Sequence, residues 1–175
     1  VIAPILNDEH LGRVLNDMLR TCRYRLFIAT ADVKDVHLPQ SGGRRARSIL
    51  QEIEALGRRG VQVHLLHAGV PSGPFLERLK QGVPAALTMR RCPRTHAKAV
   101  VADGRRMYLG SANLTGAGLG AKSPRRRNFE AGIWTDETAL IDPVLDMLQE
   151  VWRGEHCRDC GRKDYCPVPL EEPCL

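Results

Sequence analysis

Aromatic residues are scarce: two Trp, three Tyr and three Phe make up 5% of 175 residues. Platforms for stacking bases are therefore few, and any grip on a polyanion would be mostly electrostatic and weakly sequence-selective. No apolar run approaches the ~20 residues that a membrane span needs, and no signal-peptide pattern is visible. The sequence opens at Val1 rather than Met, which leaves an upstream anchor an open question. No segment repeats. No cluster of carboxylates stands out that would build a magnesium or zinc hydrolytic site. Acidic groups are the minority, 20 Asp and Glu against 26 Lys and Arg, for a net charge of +6. That balance fits partners rich in phosphate, nucleic acid or anionic lipid, without choosing between them. The expected location is cytoplasmic.

What is present is enough for one domain. Hydrophobic residues reach 43%, and the length suits a single core with a small appendage. We expect a domain over residues 1–153 and a cysteine-rich tail over 154–175. Val1–Leu6 reads as an edge strand. Asn7 or Asp8 can cap a helix to about Cys22, with Leu11, Val14, Leu15, Met18 and Leu19 on one face. Arg25–Ala31 and Val61–His67 are compact apolar runs that read as buried strands. A helix is expected over Arg44–Arg59, stopped by Gly60, and a shorter one over Ser72–Gln81. Ala86–Met89 is a third strand. Phe129–Thr135 is another, and a last helix follows over Asp136–Trp152, interrupted or restarted near Pro143. Strands alternating with helices predict an α/β layered fold.

The chain is organised around Thr95-His96-Ala97-Lys98-Ala99-Val100-Val101-Ala102-Asp103-Gly104, followed by Arg106 to Thr115. Its polar residues read His-x-Lys-x4-Asp and then Gly-Ser-x-Asn. Alternation predicts a strand with His96, Lys98 and Val100 on one face. Asp103-Gly104 is a hairpin signal, and Arg106–Gly110 is the returning strand. An imidazole, an ammonium, a hydroxyl and a carboxamide would then converge on one patch able to hold an oxyanion and attack it. Three fixed residues alone would arise by chance in roughly 2% of chains this long, and Gly-Ser-x-Asn just downstream makes chance a poor explanation.

This pattern resembles the HxKx4D motif of the phospholipase D superfamily and the Gly-Ser-x-Asn that follows it there. The resemblance implies an α/β fold in which a mixed β-sheet is sandwiched between helical layers. It implies a phosphodiesterase with a catalytic set of His96, Lys98, Asp103, Ser111, Asn113 and Glu130. His96 would attack phosphorus and form a phosphohistidine; a second histidine would protonate the leaving group. Superfamily enzymes bring two such motifs together and this chain has one, so the resemblance implies a homodimer with both His96 side chains facing one phosphate. Asp103 would be structural and stand behind the chemistry. Glu130 matches an acidic residue that orients the histidine; a carboxylate behind an imidazole fixes its tautomer and raises its basicity.

Arg90, Arg91 and Arg94 precede the motif, and Lys122, Arg125, Arg126 and Arg127 follow it. Arg94, Lys122 and Arg125 to Arg127 are the candidate substrate contacts, since arginine suits phosphate. His64 and His67 read as packing residues on opposite faces of one strand, His10 as helix surface and His37 as loop. Cys22 reads as a buried thiol and Cys92 as a loop thiol.

The tail carries Cys157, Cys160, Cys166 and Cys174 in the spacing Cys-x2-Cys-x5-Cys-x7-Cys. Four thiols in so short a stretch point to a tetrahedral metal site. The uneven gaps and the neighbouring prolines Pro167 and Pro173 favour a [4Fe-4S] cluster, with Zn close behind and two disulfides third. All four lie far in sequence from His96, so the centre is expected to be structural. The leading functional reading is a metal-independent nuclease with nucleic acid as substrate. The alternatives are a phospholipid hydrolase or phosphatidyltransferase, and an inactive nucleic-acid-binding module.

Overall fold

The structure, a computed structural model, describes residues 1–173, the side chain of Ser41 aside. Cys174 lies outside the described residues.

Among the described residues, nine strands and four α-helices follow one another. They are β1 (Ile2–Leu6), α1 (Met18–Thr21, entered through π-helical turns at Leu11–Asp17), β2 (Arg25–Thr30), β3 (His37–Leu38), β4 (Arg47–Ser48), α2 (Ile49–Arg58), β5 (Gln62–His67), α3 (Gly73–Gln81), β6 (Leu87–Arg91), β7 (Lys98–Ala102), β8 (Arg106–Gly110), β9 (Ala131–Thr135) and α4 (Thr138–Arg153). Seven strands form one sheet in the order β1-β9-β8-β7-β2-β5-β6, and β3 and β4 pair separately. The strands β2, β5 and β6 run parallel, whereas β7, β8, β9 and β1 are successively antiparallel.

Alternation sorts the side chains into two cores. Leu26 and Ile28 of β2, Val63 and Leu65 of β5 and Val100 of β7 pack against Leu15, Met18, Ile53 and Phe75 from the first three helices. Their neighbours Phe27, Ala29, Leu66, Ala99 and Val101 pack against Ile141, Leu148 and Trp152 of α4. The mixed sheet therefore sits between helical layers, as expected. Each large side chain so buried contributes about 1.5–3 kcal/mol.

Several local expectations change. Helix α2 starts at Ile49, not Arg44, because Ser48 and Gln51 form a capping box: Gln51 N–H donates to Ser48 Oγ at 3.3 Å, and Ser48 N–H donates to Gln51 Oε1 at 2.9 Å. That reciprocal bond satisfies two amides left open at a helix start. Pro143 does not break the last helix; α4 is continuous through it. His10 is fully buried rather than on a surface. Its ring meets Tyr108 edge-on at 5.1 Å, and its Nδ1 lies 2.7 Å from the Asn7 carbonyl. His96 is not on a strand, since β7 begins only at Lys98. Pro93 and Arg94 turn the chain ahead of it, and a proline cannot join a sheet ladder.

Candidate active site

The register of the sheet brings the motif to one end of it. Lys98 pairs with Gly110, and Ala29 pairs with Ala99, so the start of β7 lies beside the ends of β8 and β2. The starts of the parallel strands lie at the other end. Outside the carboxyl ends of parallel strands is where open α/β sheets hold ligands.

His96 is exposed and Lys98 half-buried. The Lys98 ammonium donates to the His96 carbonyl at 2.8 Å and lies 3.3 Å from His96 Nε2. An ammonium can only donate, so this arrangement leaves a lone pair on Nε2 and the proton on Nδ1. Asn113 is held over the end of β2. Its Oδ1 accepts from the amides of Ala31 and Asp32 at 3.1 and 3.3 Å, while the Thr30 hydroxyl donates to the Asp32 carbonyl at 2.8 Å. With that oxygen fully engaged, the carboxamide has Nδ2 left as its outward donor. Thr30 Oγ1 in turn accepts from the Leu114 amide at 2.9 Å.

The turn that carries Ser111 and Asn113 is fixed from below. The buried Tyr108 hydroxyl accepts from the Ala112 amide at 3.0 Å. Burial pushes its pKa up to about 12, so it stays a neutral phenol. Gly110 and its partner Gly132 are there because β8 and β9 close tightly over this ring. A Cβ on Gly110 would lie 2.5 Å from the Tyr108 hydroxyl and 2.6 Å from Gly132 Cα. The glycine of the Gly-Ser-x-Asn motif is thus a packing requirement that sets the height of Ser111.

Ser111 donates to Glu130 and accepts from the Ala131 amide at 3.0 Å. Glu130 also accepts from Asn128 Nδ2 at 2.9 Å. Its carboxylate is therefore turned onto Ser111 and Asn128, and within one chain it makes no hydrogen bond to His96. The expectation that it orients the imidazole directly is not met; the strand-end Ser111 lies within its reach and takes the bond instead.

Asp103 stands at the opposite end of β7 from Lys98. Its carboxylate accepts from the amides of Arg23, Tyr24 and Arg25 at 2.9, 2.8 and 3.0 Å and from the Cys22 thiol at 3.4 Å. Burial alone would raise its pKa, but the amides of Arg25, Arg23 and Tyr24 and the thiol outweigh it and hold the carboxyl below its ordinary value. Asp103 and Gly104 both have positive φ, 56° and 66°, as a tight type I′ hairpin requires. Asp103 thus clamps a turn to the α1–β2 junction, at the end of β7 away from His96 and Lys98. Cys22 is buried, as expected, and burial followed by the Asp103 charge raises its thiol pKa to about 11.

The basic groups divide. Lys122, Arg125 and Arg126 are exposed on the loop between β8 and β9. Arg127 is mostly covered and pairs with Asp8 at 3.0 Å. Arg94 points to the tail, with Nη1 3.7 Å from Cys160 Sγ. Arg90 lies 4.8 Å over the Trp152 ring and donates to its carbonyl. His64 stacks on the same ring at 4.6 Å, and His67 is buried with Nδ1 2.8 Å from the Gly69 carbonyl. Both are packing residues, as expected. Beside Glu130 stands Phe129, 97% exposed. No part of the motif signalled it.

A cavity of about 400 Å³ opens at His96, between it and Met147 and Leu148 of α4. A larger one, about 750 Å³, lies at the other end of the sheet between α2 and α3 and gathers no comparable set of reactive groups. Among the described residues no three His, Cys, Asp or Glu side chains are placed to hold a single metal ion. No helix is long and apolar enough to cross a membrane among the described residues.

The family described as cardiolipin synthase, PLD-like domain, matches residues 15–152. Among solved structures, NucT from Helicobacter pylori superposes with a TM-score of 0.62 at 16% identity, covering 86% of this chain and 94% of that one. Nuc from Salmonella typhimurium, a phospholipase D family member, gives 0.61 at 17% identity, over 87% of this chain and 94% of that one. Phosphatidylserine synthase from Haemophilus influenzae gives 0.55 at 18% identity, over 86% of this chain but 38% of that one. At such identities the likeness is one of fold. No curated protein matches in sequence.

Proposed function

The chain belongs to the phospholipase D-like family, and on that premise we propose that it is a phosphodiesterase acting on nucleic acid through a phosphohistidine, as a homodimer. The observation that carries this reading is the Lys98 ammonium bonded at once to the His96 carbonyl and facing Nε2, with Asn113 at the neighbouring strand end.

A phosphodiester resists attack because its anionic oxygens repel nucleophiles. Lys98 and the Asn113 Nδ2 neutralise and bind two of those oxygens. His96 Nε2 attacks phosphorus: the P–N bond forms and the bond to the leaving oxygen breaks. The leaving oxygen takes a proton from His96 of the partner subunit, which enters the cycle as the imidazolium and afterwards regains its proton from water as that water cleaves the P–N bond. Each imidazole thus ends as it began, and no step calls for a divalent ion. One chain supplies one such histidine, so the scheme needs a second copy, and the exposed Phe129 beside Glu130 offers an apolar contact for it.

Net positive charge and likeness in fold to NucT and Nuc support nucleic acid as substrate. The family description and the likeness to phosphatidylserine synthase support a second reading, phosphatidyl transfer. Single-stranded DNA, RNA and phospholipid vesicles, offered side by side with a chelator present, separate them. Cleavage of nucleic acid by wild type and not by His96→Ala, with a covalent phosphohistidine trapped on acid quench, sustains the proposal. Turnover of lipid alone transfers the same residues to the second reading, and a well-folded dimer that cuts none of the three and traps no phosphohistidine overturns both.

A further inference from the structure

Three thiols of the tail meet a fourth from the sheet. Cys157, Cys160 and Cys166 line a cavity of about 190 Å³ that is also lined by Cys92, in the segment between β6 and β7. All four are free and partly exposed. The two walls are anchored separately. The Cys92 amide donates to the His67 carbonyl at 2.8 Å and so extends the β5–β6 pairing by one step. On the tail side, the Cys157 amide donates to the Gly154 carbonyl at 3.0 Å, in the turn that ends α4. Arg91, the residue before Cys92, donates its amide to the Glu171 carbonyl at 3.0 Å and pairs with the Glu171 carboxylate at 3.3 Å. The sheet end and the tail are thereby laced together around the cavity.

The Arg94 guanidinium, with Nη1 3.7 Å from Cys160 Sγ, places a positive charge beside the thiols. The sequence carries a matching sign: Cys92-Pro93 repeats the Cys-Pro pair of Cys166-Pro167.

We propose that Cys92, Cys157, Cys160 and Cys166 form one four-thiolate centre for a soft metal, with Cys92, just past the end of β6, joining the three thiols of the tail. Thiolate donors suit zinc and iron–sulfur clusters alike, and four of them line this one cavity. The centre also shares a wall with the active site. Cys92, Arg94, Cys157 and Cys160 line the neighbouring cavity together with His96, which follows Cys92 by four residues. A metal there holds the segment that carries the nucleophile, and the sequence distance from His96 that marks the tail cysteines as remote does not apply to Cys92.

The test uses the full chain, purified without oxygen and reconstituted in separate arms with iron plus sulfide and with zinc. Iron, acid-labile sulfide and zinc are counted per chain, and the visible sulfur-to-iron absorbance is recorded. Stable metal in either arm is expected, and the absorbance tells cluster from zinc. Cys92→Ser and Cys157→Ser should each lose at least ~10-fold of it, which is the low end of what even an outer partner of a ligand costs. Cys22→Ser should stay within about twofold of wild type, as should His96→Ala, so failure of the catalytic reading leaves this result untouched. Since Cys92→Ser can misfold, alkylation of wild type followed by mass spectrometry gives a second readout. Cys92 should be protected in loaded protein and react after stripping, while Cys22 is unchanged. A wild type that retains neither metal, a Cys92→Ser that stays loaded, or a Cys92 that reacts equally in both states overturns the proposal.

Discussion

The two ends of β7 hold the two halves of one motif and treat their polar groups in opposite ways. At the Asp103 end a carboxylate is saturated by three backbone amides and a thiol, and it stitches the hairpin to the start of β2. At the Lys98 end an ammonium has two contacts for its three protons, and the imidazole beside it is open to solvent. Spacing along a sequence says nothing of this difference. A group whose bonding is complete within the chain stabilises the fold; a group with a free valence aimed outward is available to a substrate. Only four strand residues, Ala99 to Ala102, lie between Lys98 and Asp103.

The largest effect that can break this contrast is at His96. On the proposed mechanism His96→Ala should lower kcat by at least ~10³-fold, since it would remove the nucleophile and, in the paired copy, the general acid. Its thermal midpoint should not fall, because the side chain is exposed and packs little. A variant that loses stability and keeps activity would reverse the assignment of the two ends. Lys98→Ala should cost about 10²-fold in kcat, the lower part of the range for loss of one transition-state donor. Lys98→Arg should rescue only part of it, because a planar fork does not reproduce a point charge held between a carbonyl and a ring.

Asp103 should behave the other way. Asp103→Ala leaves three amides without an acceptor, which costs about 1–3 kcal/mol, while kcat per folded molecule stays within twofold. The pH dependence carries a sign. The folded pKa lies below the unfolded one, so the carboxylate's contribution is fully present above the ordinary Asp range and is lost as pH falls through the folded value. The gap in thermal midpoint between wild type and Asp103→Asn should therefore be constant near neutrality and close in acid. A gap that widens in acid would show that the clamp works by something other than ionisation.

Much of this architecture is legible in the sequence, and what is missed has physical causes. Apolar runs such as Arg-Leu-Phe-Ile-Ala-Thr mark the buried strands because both faces of a covered sheet need apolar side chains. The hairpin is legible in Asp103-Gly104 because few residue pairs accept two positive φ angles in succession. The start of α2 is signalled too, by Ser48-x-x-Gln51, but the apolar periodicity over Arg44–Arg59 does not register a cap. His96 falls off the strand because alternation is a property of side chains and carries no information on where Pro93 turns the backbone. Cys92 escapes because a single thiol beside a strand has no spacing of its own. Its partners come from a distant tail, and only the register of β5 and β6 brings it to them. His10 looks like helix surface by period, but π-helical turns rotate the face that period predicts.

The smallest expected effects divide the basic loop along the same line of saturated against free. Arg127 has its partner in Asp8, and Arg125 and Arg126 are exposed. Arg125→Ala with Arg126→Ala should raise KM for single-stranded nucleic acid a few-fold. It should also make the salt dependence of binding shallower by about 0.7 for each phosphate that is no longer neutralised, with kcat and thermal midpoint unchanged. Arg127→Ala should leave that salt slope alone and cost at most ~1 kcal/mol in stability, the usual worth of an ion pair so placed. If the three arginines instead contribute equally to the salt slope, the Asp8 pair opens when substrate arrives, and the loop between β8 and β9 belongs to the outward-facing end of the molecule as a whole.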